Sequence, residues 1–212
     1  MEKERILRAL SELKQSQRKF LQNYDLIITF RDVDFKKSPI ETFVALPHAR
    51  GKKAAVCAFV GQELAEKAAQ ACDVVVRETH FDSYKGDAKK IKQLARTCTF
   101  FLAQASLMPQ VATVFGRVLG PRNRMPNPKA GCVVPPNADL KALVERLQKT
   151  VHLKSRAMSM VQCIVGTEQM ADDQITDNVL AVYQQVMKLL PNEENNIRAV
   201  HLKKTMSPAV KL

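Results

Sequence analysis

The chain has 212 residues, 46% of them hydrophobic and 25% charged, a balance that excludes wholesale disorder and is long enough for one large or two small cores. Its 33 lysines and arginines against 21 aspartates and glutamates leave a formal charge of +12, which points to a polyanionic partner. The longest apolar run, around Ala54 to Val60, is far short of the roughly 20 residues of a spanning helix, and MEKERILRALSELKQ has charges where a leader peptide has an apolar block; nucleic acid is favoured over a membrane, in a cytoplasmic setting.

In chain order, Ile6, Leu10 and Leu13 recur at helical spacing among charges and predict an amphipathic helix. DLIITFR (Asp25 to Arg31) and ETFVAL (Glu41 to Leu46) are rich in β-branched and aromatic residues and read as strands on either side of a basic turn, DFKKSP. From Ala54 the texture changes. AAVCAFV, DVVVRE and CTFFLA read as short buried strands, separated by the helical segments GQELAEKAAQAC and DAKKIKQLARTC, the second capped by Asp87. PQVATVFGRV adds a helix with proline in its first turn. Strand and helix alternating at this spacing imply right-handed βαβ units and a parallel sheet.

The stretch LGPRNRMPNPKAG (Leu119 to Gly131) follows, a stiff, basic, irregular loop. Beyond it PPNADLKALVERLQKT reads as a helix with Asn137 at the N-cap. Met160 to Val165 reads as a strand, and a long helix opening at Asp172 or Asp173 ends at Pro191. IRAVHLKK (Ile197 to Lys204) alternates like a half-buried strand and runs into TMSPAVKL. The first texture thus returns after an inserted βαβ block of about residues 53 to 133. Two crossings are expected, at Gly51, Lys52 and Lys53 and near Cys132, Val133 and Val134, where a hinge is sought.

Five cysteines, at 57, 72, 98, 132 and 163, show no Cys-x-x-Cys spacing. The histidines at 48, 80, 152 and 201 complete no zinc pattern and sit near no obvious nucleophile. Buried small hydrophobes are the reading for Cys57, Cys98 and Cys163, and no metal or cofactor is expected. The block carries neither G-x-G-x-x-G nor G-x-x-x-x-G-K-[ST], so a nucleotide-binding enzyme is a rival without a motif; a non-specific basic RNA chaperone is a second rival. Between Gly166 and Ile197 the acidic residues Glu168, Asp172, Asp173, Asp177, Glu193 and Glu194 face only Lys188, so the long helix is expected to point away from RNA.

VATVFGRVLGPRNRMPNPKAG resembles the signature of the ribosomal protein L-one family, the first-numbered protein of the large ribosomal subunit. LPHARGK (Leu46 to Lys52), KKTMSPAVK (Lys203 to Lys211) and the RKF at Arg18 to Phe20 resemble further blocks of that family in matching order. VVPPNADL and the short C-terminal tail are closest in character to the archaeal and eukaryotic branch. The resemblance implies an α/β protein of two domains: a discontinuous two-layer α+β domain I of split β-α-β type, from residues 1–52 and 134–212, and an inserted Rossmann-like three-layer domain II, residues 53–133. It implies a non-enzymatic constituent of the large subunit, monomeric when free, that binds large-subunit rRNA at the mobile stalk, assists release of exit-site tRNA, and represses translation by binding its own mRNA.

By position the resemblance assigns RNA contact to Lys19, Phe20, Asp25, Lys203, Lys204, Thr205, Met206 and Ser207, with Arg122, Arg124 and Lys129 as auxiliary contacts. A hydroxyl and exposed main chain suit 2′-hydroxyls and phosphates, a flexible thioether fills an irregular sugar surface, and the lysines neutralise phosphate. Where the family usually has glycine this chain has Ala49, Asn123 and Ser207, of which Asn123 is best suited to a left-handed turn.

Overall fold

The computed structural model describes residues 2–15, 18–33, 35, 39–155 and 158–212. The chain begins with α1 (Lys3–Lys14), β1 (Asn23–Phe30) and β2 (Ile40–Ala45). It then alternates β3 (Val56–Val60), α2 (Gln62–Ala71), β4 (Val74–Arg77), a one-turn α3 (Phe81–Tyr84), α4 (Ala88–Thr97), β5 (Phe100–Gln104), α5 (Met108–Leu119) and β6 (Val133–Val134). The remainder is α6 (Leu140–Gln148), β7 (Thr150–Ser155), β8 (Met160–Thr167), α7 (Asp172–Leu189), β9 (Ile197–Lys204) and β10 (Val210–Lys211). Most of the expected turn DFKKSP lies outside the described residues. Two compact units result, one from Met1–Lys52 with Lys149–Leu212, the other from Lys53–Gln148.

In the first unit, β1 alternates strictly: Tyr24, Leu26, Ile28 and Phe30 are buried, while Asn23, Asp25, Ile27 and Thr29 are half-exposed. Period-two alternation turns the first set to the core and the second to an open face. Antiparallel pairing gives the order β10-β9-β1-β8. Ile6, Leu10 and Leu13 of α1 and Ile175, Val179, Val182 and Val186 of α7 share one core with the buried face. Each such side chain contributes roughly 1.5–3 kcal/mol of burial. Although β1 and β2 are neighbours in sequence, β2 pairs among the described residues with β7, in a two-stranded sheet where Phe43 stacks on His152 at 4.4 Å. No strand is legible in the sequence at β7, because Lys149 alone separates it from α6 and no turn residue marks its start.

The second unit is a parallel sheet in the order β4-β3-β5-β6. All of β3 is buried, as a strand covered on both faces must be. On one face Phe59 meets Phe81, Phe101 and Phe115 at centroid distances of 5.9, 5.9 and 4.6 Å, with Ile91 and Ala95 of α4 and Val111 of α5 in the same core. On the other α2 packs beside α6. Asp87 caps α4 as expected, its Oδ1 accepting from the amides of Lys89 and Lys90 at 3.1 Å. At α6 the cap is Asp139, which accepts from Lys141 and Ala142, rather than the expected Asn137.

The chain leaves the second unit fifteen residues later than the sequence reading placed it, after Gln148 rather than after Val133. The expected second hinge is part of the sheet: Val133 and Val134 form β6 against β5, and buried Cys132 accepts a hydrogen bond from Ala103. Its flanking loop is equally built in. Asn123 does adopt the left-handed turn (φ 54°), Asn127 Oδ1 accepts from the Lys129 amide, and Gly131 (φ 73°) lies where a Cβ would fall 2.1 Å from Arg146 Nη2. The unit's entry and exit are pinned together: Gln148 Oε1 accepts from the Ala54 amide at 2.7 Å and Gln148 Nε2 donates to the Ala54 carbonyl at 2.8 Å. Next to them Lys53 Nζ lies 2.7 Å from Asp73 Oδ1.

Candidate nucleic-acid interface

In the first unit, the segments before β1 and after β9 come together because the two strands pair antiparallel, Tyr24 opposite Lys204. Asn23 and Thr205 exchange bonds: the Thr205 amide donates to the Asn23 carbonyl at 3.1 Å and the Asn23 amide donates to Thr205 Oγ1 at 3.2 Å. The Met206 amide donates to Gln22 Oε1 at 3.0 Å. Three large apolar side chains beside these bonds lie in solvent: Phe20 is 51% exposed, Leu21 52% and Met206 59%. Exposed Lys19 and half-exposed Lys203 flank them.

Beneath this rim lies a polar cluster in which Gln22 and Lys204 are buried and Glu168 is half-buried. Glu168, on the turn between β8 and α7, accepts from the Gln22 amide at 3.0 Å and from Gln22 Nε2 at 3.3 Å, and pairs with Lys204 Nζ at 2.7 Å. The Glu168 amide donates back to the Gln22 carbonyl at 3.1 Å. Burial alone would raise the Glu168 carboxyl; the bonds from Lys204 and Gln22 outweigh it and hold it below the usual carboxylate range. Burial, with Glu168 and Asp172 nearby, pushes the Tyr24 hydroxyl up to about 12, and the Lys204 ammonium lies 5.9 Å from the Tyr24 ring centroid.

Lys204 is therefore not a phosphate contact. It is 2% exposed and spends its charge inside the protein on Glu168. The reason is register: along β9, Leu202 and Lys204 point to the core and Lys203 to the open face. Asp25 lies on that open face opposite Lys203; partial burial raises its carboxyl and Lys203 offsets part of the rise. His201, Gln162 and Lys211 share the face.

Ser207 lacks a left-handed φ, so its Cβ costs no backbone strain, and its hydroxyl accepts from the Lys204 amide at 2.9 Å and donates to the Pro208 carbonyl at 2.9 Å. It closes the Thr205–Met206 turn with bonds a glycine cannot make. Ala49 likewise has no positive φ. Gly51 does (φ 80°), and a Cβ there would fall 2.3 Å from Thr167 Oγ1. The LPHARGK segment is fixed further by Asn178, fully buried, whose Oδ1 accepts from the His48 amide and whose Nδ2 donates to the His48 and Val165 carbonyls.

In the second unit, Arg122 and Lys129 are exposed, whereas Arg124 Nη1 donates to the Cys98 and Thr99 carbonyls at 2.6 and 3.1 Å and so secures the end of α4. At the head of α2, Gln104 Oε1 accepts from the Gly61 amide at 3.0 Å. That is the main-chain donor a nucleotide phosphate would use at a parallel sheet's first helix. All five cysteines are free; burial raises the thiols of Cys132 to about 11 and Cys163 to about 12, with Asp25 adding to the second. No helix among the described residues is long and apolar enough to cross a membrane.

Gln22 and Glu168 belong to the candidate site without being legible in the sequence. Gln22 carries no pattern beyond its place beside Phe20 and Leu21, and Glu168 was grouped with the acids of α7 although it precedes that helix and turns toward β9.

Comparison with known proteins gives a consistent picture. Residues 12–208 match the model of the "Ribosomal protein L1p/L10e family". The "Large ribosomal subunit protein uL1" of Methanocaldococcus jannaschii is 38% identical over 216 residues, covering 100% of this chain and 96% of its own. The proteins of the same name from Nanoarchaeum equitans and Pyrococcus horikoshii are 39% and 34% identical, covering 92% and 100% of this chain and 92% and 96% of theirs. With matches of this extent to archaeal relatives, the chain belongs to the ribosomal protein L1p/L10e family, in its archaeal branch.

Proposed function

We propose that this protein is a structural, non-enzymatic constituent of the large ribosomal subunit, ribosome-associated in the cytoplasm, and that its first unit binds large-subunit rRNA at the mobile stalk. The observation that carries the reading is the rim of half-exposed Phe20, Leu21 and Met206, the last on a hydrogen-bonded turn, beside Lys19 and Lys203. Large apolar groups kept in solvent beside cations suit riboses and splayed bases, with 2′-hydroxyls meeting Thr205 and the exposed main chain. Asp25 and Ser207 complete the surface, and Arg122 and Lys129 act as auxiliary cations. From the stalk the protein would assist release of deacylated tRNA from the exit site. The same surface would take a matching fold in its own mRNA and repress translation.

The test is competition: the stalk rRNA fragment is expected to hold the protein against excess tRNA at moderate salt, since only specific binding survives a polyanionic competitor. Equal displacement by both RNAs would instead mark a non-specific basic binder. The face of the protein is tested separately. α7 covers the buried side of the sheet, so its acids look away from the open face. Asp173→Lys with Asp177→Lys is expected to leave affinity for the fragment within about twofold. A tenfold change would show that α7 lies against RNA.

A further inference from the structure

We propose that Glu168 is a positioning residue for the RNA-binding turn: by orienting the Gln22 amide and neutralising Lys204 it decides how Met206 is presented. This rests on the rRNA-binding reading above and concerns what gives that surface its shape.

Three donors converge on Glu168, two from Gln22 and one from Lys204. Gln22 is fully buried and its side chain has two faces of opposite chemistry, an oxygen that accepts and an NH₂ that donates. The two are nearly the same size, so packing alone does not choose between them. An acceptor-only carboxylate on one side chooses: Nε2 turns to Glu168, and Oε1 is left facing the Met206 amide, from which it accepts at 3.0 Å. Turned the other way, Gln22 would set a donor against the Met206 donor. Lys204 fixes the carboxylate in turn, because an ammonium 2% exposed needs an anion beside it. Glu168 touches Met206 only through Gln22, which is why its role is positioning.

Two readings of this cluster predict opposite outcomes. If Glu168 positions the turn, its loss weakens RNA binding without changing the number of phosphates neutralised. If it merely masks Lys204, its loss frees a cation, strengthens binding and steepens the salt dependence by about one phosphate.

The experiment uses the full chain and the stalk rRNA fragment, with affinity measured across a salt series. Glu168→Gln is expected to bind about tenfold more weakly at every salt concentration with an unchanged slope, and Glu168→Asp, which keeps an acceptor-only carboxylate, to recover part of the loss. In a Met206→Ala background the Glu168→Gln penalty is expected to shrink to about twofold, the non-additivity of residues acting through one another. A gain in affinity with a steeper slope, or the same tenfold loss in both backgrounds, would overturn the proposal. Should Glu168→Gln fail to fold, Gln22→Met leaves the Glu168–Lys204 pair in place: a loss of about tenfold that shrinks in the Met206→Ala background is expected, and unchanged affinity would overturn the proposal. A parent protein that does not prefer the fragment over tRNA refutes the rRNA reading before any variant is made, so the two failures are distinguishable.

Discussion

Gly51→Ala is expected to lower the unfolding free energy of the first unit by about 3 kcal/mol. An alanine held at left-handed φ costs roughly 1–2 kcal/mol, and Gly51 sits at φ 80°. Its new Cβ would fall 2.3 Å from Oγ1 and 2.8 Å from Cγ2 of Thr167, a residue only 2% exposed. Forcing such an overlap adds roughly 1–3 kcal/mol. Thr167→Ala in the same chain should return about half the loss, because it removes the overlapping atoms and leaves the dihedral cost. Urea unfolding of parent, single and double variants reads both contributions, and an unshifted midpoint in Gly51→Ala would show that this packing is not rigid. Thr167 precedes Glu168, so the single variant should also weaken RNA binding.

Combining Phe20→Ala with Met206→Ala should reduce affinity for the stalk rRNA fragment about a hundredfold, equivalent to about 2.8 kcal/mol. Both side chains are about half exposed, so truncation removes ligand contact while leaving the core intact, and the unfolding midpoint should stay in place. Thr205→Ala is a less clean probe. Its hydroxyl accepts from the Asn23 amide, and the variant is expected to lose about 1 kcal/mol of stability along with affinity. Titration at one fixed salt concentration, paired with thermal unfolding, separates the two effects. Undiminished affinity in the Phe20 and Met206 double variant would place the RNA elsewhere.

Where local pattern and environment agreed, the fold could be read from the residues. β1 and β9 alternate because one face is buried, the central parallel strands β3 and β5 are nearly continuous apolar runs because both faces are, and Asp87 caps α4 where a cap belongs. The failures share a cause. β7 and α6 abut with one residue between them, so no turn chemistry marked the change, and the end of the inserted unit was placed at the conspicuous proline-rich loop instead. That loop is built into the second unit through Asn127, Gly131 and Arg124. Lys204 was read as a surface cation because its neighbours are; only strand register distinguishes it from Lys203. Its partner lies far along the chain, on a turn whose direction no local signal records.

The amide pair between Gln148 and Ala54 also bears on the order in which the protein forms. The second unit is continuous in sequence and can complete itself once Gln148 has been made. The first unit cannot: β9, the partner of β1 on one side of its sheet, ends at Lys204, so β1 must wait for nearly the whole chain. With the insert folded and its two ends tied together, that wait costs little, since the intervening segment no longer counts as a long flexible loop to be closed. A ribosome releasing this chain from its N-terminus would thus deliver the finished continuous unit before the discontinuous one that carries the proposed RNA rim.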